Sequence, residues 1–207
     1  MSTFSSILEN RIVAILRGAS PAYTIAVARA MLAGGVKILE ITLNSPSAES
    51  VIMELVKHLG NDMIIGAGTV LNEAAAIRAI DAGARFIISP HTDPAVIKTT
   101  RLKGAVSIPG AFTPGEILTA HQYGGDIIKV FPAVLGAAYV RDVLAPLPHI
   151  LLMPTGGIHV GNIRQFRDAG AVAFGIGSAL FNSREKINPD YLSGITEKAK
   201  QLVSALK

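Results

Sequence analysis

Gly-Gly-Asp-Ile-Ile-Lys-Val-Phe-Pro (124–132) contains the unit from which the whole chain is built. The paired glycines end a helix, the β-rich apolar run 127–131 is a strand, and Pro132 terminates its ladder. Similar runs recur at 12–16, 38–43, 63–67, 86–89, 105–108, 150–153 and 171–176, with starts about 19 to 26 residues apart. That period accommodates one strand, one loop and one amphipathic helix. Helical stretches are read at 23–32, 73–82 and 161–169. Thr113-Pro114-Gly115-Glu116 has the form of a capping box, and Ser20-Pro21, Ser45-Pro46 and Asp93-Pro94 repeat the cap-then-proline pattern. Glycines then precede the next strand, at Gly34-Gly35, Gly60, Gly83, Gly104 and Gly170. Eight such repeats predict a parallel sheet with right-handed crossovers, closed as an α/β (β/α)8 TIM barrel, with a short N-terminal helix over 3–10. An open doubly wound sheet is the alternative; it needs fewer strands or a topological switch, and no linker divides the chain.

At 207 residues, half of them hydrophobic and 16% charged, residues 1–207 read as one domain with a substantial core. The chain has no cysteine, which removes disulfides, thiol catalysis and thiolate metal sites. Its 19 Lys and Arg against 15 Asp and Glu give a net charge of +4, spread along the chain. No polybasic tail or aromatic-basic patch points to nucleic acid, and no apolar stretch reaches membrane-spanning length. The polar N-terminus, with Glu9, lacks a signal-peptide pattern, so a cytoplasmic location is expected.

In a barrel of this kind the chemistry stands at the C-terminal ends of the strands. Lys129 is the one charge between Ile127 and Pro132, and Glu40 is the one charge in Ile-Leu-Glu-Ile-Thr-Leu (38–43). A desolvated lysine loses pKa and exposes a free amine, the requirement for Schiff-base chemistry on a carbonyl. A neighbouring carboxyl supplies proton transfer. The competing reading of the two is a structural ion pair, and of Lys129 alone a strand-end lysine reaching water. Thr155-Gly156-Gly157 after the seventh strand and Gly175-Ile176-Gly177-Ser178 after the eighth suit a phosphate cup with helix N-termini behind it. Arg17 at the first strand exit suits a carboxylate, against a solvated loop arginine. Thr69 offers a hydroxyl, or an N-cap for the next helix. Pro90 ends a strand. The five histidines lack ligand spacing, so neither metal nor cofactor is expected; His91 and His159 fall on the rim, and His58, His121 and His149 read as surface residues.

The segments 34–46 (GGVKILEITLNSP), 65–71 (IGAGTVL), 88–90 (ISP), 128–132 (IKVFP) and 153–158 (MPTGGI) carry a resemblance. Together, over about 11–181, the chain resembles the 2-keto-3-deoxy-6-phosphogluconate (KDPG) aldolase family, which includes 6-phosphogalactonate and 4-hydroxy-2-oxoglutarate (KHG) aldolases. The resemblance implies a metal-free class I aldolase acting on a phosphorylated keto acid to yield pyruvate, and a homotrimer. It implies Lys129 as the Schiff-base lysine, Glu40 as the general acid/base, Thr69 at the pyruvoyl end, and Gly157, Gly177 and Ser178 at the phosphate. Arg17 and Asn44 resemble the phosphogalactonate branch, whereas Thr155 resembles the phosphogluconate branch. Two other readings remain open: another phosphate-binding barrel, such as an isomerase or a thiamin-phosphate-synthase-like enzyme, and a non-catalytic phosphosugar-binding barrel.

Overall fold

A computed structural model describes residues 2–207. The chain runs α1(Thr3–Asn10), β1(Ile12–Leu16), α2(Pro21–Ala33), β2(Ile38–Thr42), α3(Ala48–Leu59), β3(Ile64–Gly68), α4(Glu73–Asp81), β4(Phe86–Ile88) and α5(Pro94–Leu102). It continues through β5(Val106–Ile108), β6(Gly110–Ala111), α6(Pro114–Gln122), β7(Ile128–Val130), α7(Gly136–Leu144), β8(Leu152–Pro154), α8(Ile163–Asp168), β9(Phe174–Ile176) and α9(Pro189–Ala205).

All strand pairs are parallel, in the orders β5-β4-β3-β2-β1-β9 and β6-β7-β8. Two links make these one closed barrel. Pro109, which has no N–H to give, divides what is otherwise one strand into β5 and β6. Its carbonyl still accepts from Lys129 N at 2.9 Å. On the other side, a Thr155–Gly175 bridge and the bond from Val172 N to Leu152 O join β8 to β9. Counting β5 and β6 as one, the expected eight strands are present.

Strand alternation sorts the core into two shells. Ile12, Ala14, Leu16, Leu39, Ile41, Ile128 and Val130 belong to the outer cluster beneath the helices. Val13, Ile38, Phe86, Ile88, Ile108, Ile127 and Met153 fill the lumen, together with Ile7 of α1, which plugs its N-terminal end. Both faces are buried, so the strands read as near-continuous apolar runs. Glu40 and Thr42 alternate in phase with Ile38, and Lys129 with Ile127. All three therefore face the lumen. Glycine at positions 66 and 68 of β3 leaves room for the Phe86 ring and the Glu40 carboxyl, which side chains there would overlap.

Several local expectations are met by geometry. Thr113 and Glu116 form the reciprocal capping box, and Asp93 accepts from Ala95 N and Val96 N. Others are corrected. Ser45-Pro46 does not begin α3, which starts at Ala48; the Ser45 hydroxyl bonds Gly18 and Thr42 instead. Ser20 makes no capping bond of its own side chain. Asn72, not Thr69, caps α4 through Ala75 N at 2.9 Å. The helix read at 161–169 shortens to Ile163–Asp168, because His159 and Asn162 form a turn before it. The last helix, α9, packs on α2, where Thr196 Oγ1 donates to the Ala30 carbonyl and Ala199 lies against Gly34.

Candidate active site

Lys129 and Glu40 are 4% and 1% exposed, inside the lumen toward its C-terminal mouth. Burial pushes the Glu40 carboxyl above its ordinary range, against the opposing pull of Lys129 and then Arg17. Burial likewise lowers the Lys129 amine; Glu40 opposes that shift and Arg17 adds to it. Neither oxygen of Glu40 accepts a hydrogen bond from any described residue. The two side chains thus make no direct bond to each other, whereas a structural ion pair repays desolvation only through close, well-satisfied bonds. Displaced titrations in opposite directions favour a neutral amine beside a protonatable carboxyl, the usual mark of acid–base chemistry.

The Lys129 amine stands 4.9 Å from the centroid of the Phe131 ring. Phe131, two residues on and in phase with the lysine, forms a wall between two recesses. One, of about 310 Å³, is lined by Arg17, Thr155, Gly156, Gly157, Gly177 and Ser178, with Ile15, Phe131 and Ser183 among its other walls. Six residues expected at the site are thus brought together. The other, of about 600 Å³, contains Pro90, His91, Phe112 and Glu116. Lys129 and Glu40 line neither recess; Phe131, beside the Lys129 amine, borders both. Thr69 and Asn44 line neither recess.

Anion-binding features gather at the first recess. Gly156 and Gly157 adopt φ of 95° and 75°, a conformation that glycine supplies without steric cost. Asn162 holds the loop, donating to the Gly157 carbonyl and accepting from His159 N, both at 2.8 Å. The helix N-termini expected directly behind the glycines are not there. The six-residue α8 begins only at Ile163, and one short turn follows Gly177, where Leu180 N and Phe181 N bond its carbonyl. Backbone N–H groups and Arg17 are what remain to attract an anion.

Two further features mark the mouth. Thr155 Oγ1 is buried without a partner, packed where a side chain on Gly175 would clash. Thr69 sits at φ 56°, an uncommon and strained state for a β-branched residue. Among the described residues, no cluster of His, Asp or Glu is arranged to hold a metal. His91 approaches Asp93 at 3.9 Å on the rim, and the His159 ring accepts from Gly161 N. His58 pairs with Glu54, and His121 meets His149 edge-on, away from both recesses. Phe131 was not singled out from sequence, although its spacing from Lys129 placed it on the same face. Ser183 carries no sequence signal, because it lies in an irregular loop.

A family model described as "Aldolase: KDPG and KHG aldolase" matches residues 4–197. The chain is 39% identical to "Probable 2-dehydro-3-deoxy-6-phosphogalactonate aldolase" of Rhizobium meliloti (strain 1021), over 84% of this chain and 83% of that protein. It is 33% identical to the 2-dehydro-3-deoxy-6-phosphogalactonate aldolase of Escherichia coli (strain K12), over 85% and 87%. Among solved structures, one described as "Native KDPGal structure" superimposes with a TM-score of 0.88 at 31% identity, covering 94% of this chain and 93% of that one.

Proposed function

The chain belongs to the KDPG and KHG aldolase family, and from that premise we propose that it is a class I aldolase with Lys129 as nucleophile and Glu40 as acid/base. The observation that carries this reading is the buried amine and buried carboxyl in one lumen, displaced in opposite directions and not hydrogen-bonded to each other. The substrate is a 2-keto-3-deoxy-6-phospho sugar acid. Neutral Lys129 attacks its C2 ketone, and the carbinolamine loses water to give an iminium. Glu40 takes the proton from the C4 hydroxyl. The C3–C4 electron pair flows into the iminium, leaving an enamine and releasing glyceraldehyde 3-phosphate. Protonation of the enamine at C3 and hydrolysis of the resulting imine return pyruvate and the free amine.

Binding energy comes from both ends of the substrate. Gly156, Gly157, Gly177 and Ser178 cradle the phosphate, and fixing it sets the distance to the reacting carbons. Arg17, in the same recess, supplies positive charge at the mouth, while Thr69 meets the carboxylate end and Pro90 shapes the opposite rim. Thr155 Oγ1 is a polar group reserved for the substrate. The galactonate-type acid is the preferred epimer in this reading, supported by Arg17, Asn44 and the relatives named as phosphogalactonate aldolases. Thr155 makes the gluconate-type acid the second reading, and 4-hydroxy-2-oxoglutarate is an additional, unphosphorylated substrate. The working form is a homotrimer in the cytoplasm; no helix among the described residues is long and apolar enough to cross a membrane.

Pyruvate release from the two epimeric phosphosugar acids, measured side by side, tests this assignment. Higher kcat/KM on the galactonate-type acid is expected. Turnover of neither acid would overturn the reading, and preference for the gluconate-type acid would establish the second.

A further inference from the structure

We propose that Ser45 is a positioning residue that fixes Arg17 at the barrel mouth, an inference that rests on the aldolase reading above. Arg17 is an exposed residue just past β1, and the chain turns immediately after it at Gly18, with φ 67°. A long cation at such a place is held only as well as its backbone is held. Gly18 N donates to Ser45 Oγ at 2.8 Å, across 27 residues of sequence. Ser45 Oγ lies 2.9 Å from Thr42 Oγ1, and Ser45 N donates to the Thr42 carbonyl at 2.9 Å. Thr42 is wholly buried on β2, in phase with Glu40. One serine hydroxyl thus couples the loop bearing Arg17 to the strand bearing the carboxyl.

The loop is restrained from its other side as well. A side chain on Gly18 would come within 3.3 Å of Ser183 Oγ, and Ser183 lines the same recess as Arg17. The turn is therefore seated between the exit of β2 and the loop after β9. Ser45 Oγ accepts from Gly18 N and shares a hydrogen bond with Thr42 Oγ1 in which either hydroxyl can be the donor, so both of its contacts are met at once. This accounts for why Ser45 does not serve as the cap of α3: its hydroxyl is committed to Gly18 and Thr42.

A serine serving turn stability alone would alter folding but not the weight of Arg17 in binding, and a double-mutant cycle separates the two roles. The full chain is prepared as wild type, Ser45→Ala, Ser45→Thr, Arg17→Ala and the Arg17→Ala/Ser45→Ala double variant. Each is assayed for steady-state cleavage of the phosphorylated keto acid and for thermal unfolding. Ser45→Ala should raise KM about fivefold, the weight of one neutral hydrogen bond, with a smaller change in kcat. Ser45→Thr should restore KM toward wild type, and the alanine change should add little to KM once Arg17 is gone. An equal rise in KM with and without Arg17, or an unchanged KM with a lowered Tm, would overturn the assignment. If the wild type forms no borohydride-stable adduct with pyruvate, the aldolase reading itself fails and this role fails with it. An adduct alongside an additive cycle defeats the positioning role alone.

Discussion

Glu40 and Gly68 are complementary in shape: the carboxyl of Glu40 occupies the space beside Gly68 that any side chain there would need. The two lie on neighbouring strands, where Gly68 pairs with Thr42 and Gly66 with Glu40. Glycine at 68 is thus required by the position of the Glu40 carboxyl rather than by the backbone, whose φ there is not positive. Gly68→Ala should destabilise the protein by about 1–3 kcal/mol through overpacking. It should also lower kcat by about 100-fold, because displacing a catalytic group by an ångström carries a cost of that order. Urea unfolding and steady-state kinetics measure the two effects; full activity in the alanine variant would mean that the carboxyl is not used where it stands.

Arg17 lowers the titration of both Glu40 and Lys129. Its removal in Arg17→Ala should therefore raise both, moving both limbs of the pH–kcat/KM profile toward alkaline pH. Because Arg17 is exposed, added salt should shrink the difference between variant and wild type. Limbs that move in opposite directions, or toward acid, would contradict this electrostatic picture.

Lys129 also links stability to pH. Its folded value lies below its unfolded one, so between the two the unfolded chain binds more protons and stability rises with pH. The contribution is complete above 10.5, the ordinary lysine value, and is lost as pH falls through the lowered folded value. Lys129→Met lacks this linkage. The stability of the wild type relative to that variant should rise with pH, read from urea midpoints across a pH series. A difference independent of pH would place the amine in water.

Thr155 Oγ1 is buried and unpartnered, a cost that a purely structural threonine has no reason to carry. Thr155→Val keeps the shape and removes the orphaned hydroxyl. It should stabilise the protein by about 1–2 kcal/mol while lowering kcat/KM on the phosphorylated acids. Gain of stability with unchanged kinetics would remove Thr155 from substrate recognition.

The barrel was legible because its strands are buried on both faces and its helices end in glycine, so period and punctuation agreed around the ring. Lys129 and Glu40 were legible for a related reason: a lone charge in an apolar strand contradicts its surroundings, and alternation then assigns it to the lumen. The arrangement of the loops was not legible. Ser45-Pro46 has the form of a helix cap, yet long-range bonds to Gly18 and Thr42 outcompete the local one. Thr69 invites the same local reading, but Asn72 takes the cap and leaves Thr69 in a left-handed conformation that no propensity foretells. The helix ends behind the glycine loops were expected from the architecture of such barrels; the His159–Asn162 turn defers one, and a single turn replaces the other.

The most direct measurement is reductive trapping: wild type and Lys129→Ala are incubated with pyruvate and sodium borohydride, and their peptides are mapped by mass spectrometry. The wild type should gain one reduced pyruvoyl group on the peptide that contains Lys129, and the variant none. An unmodified wild-type chain, or an adduct on a different lysine, would contradict the claim that this buried amine is the nucleophile.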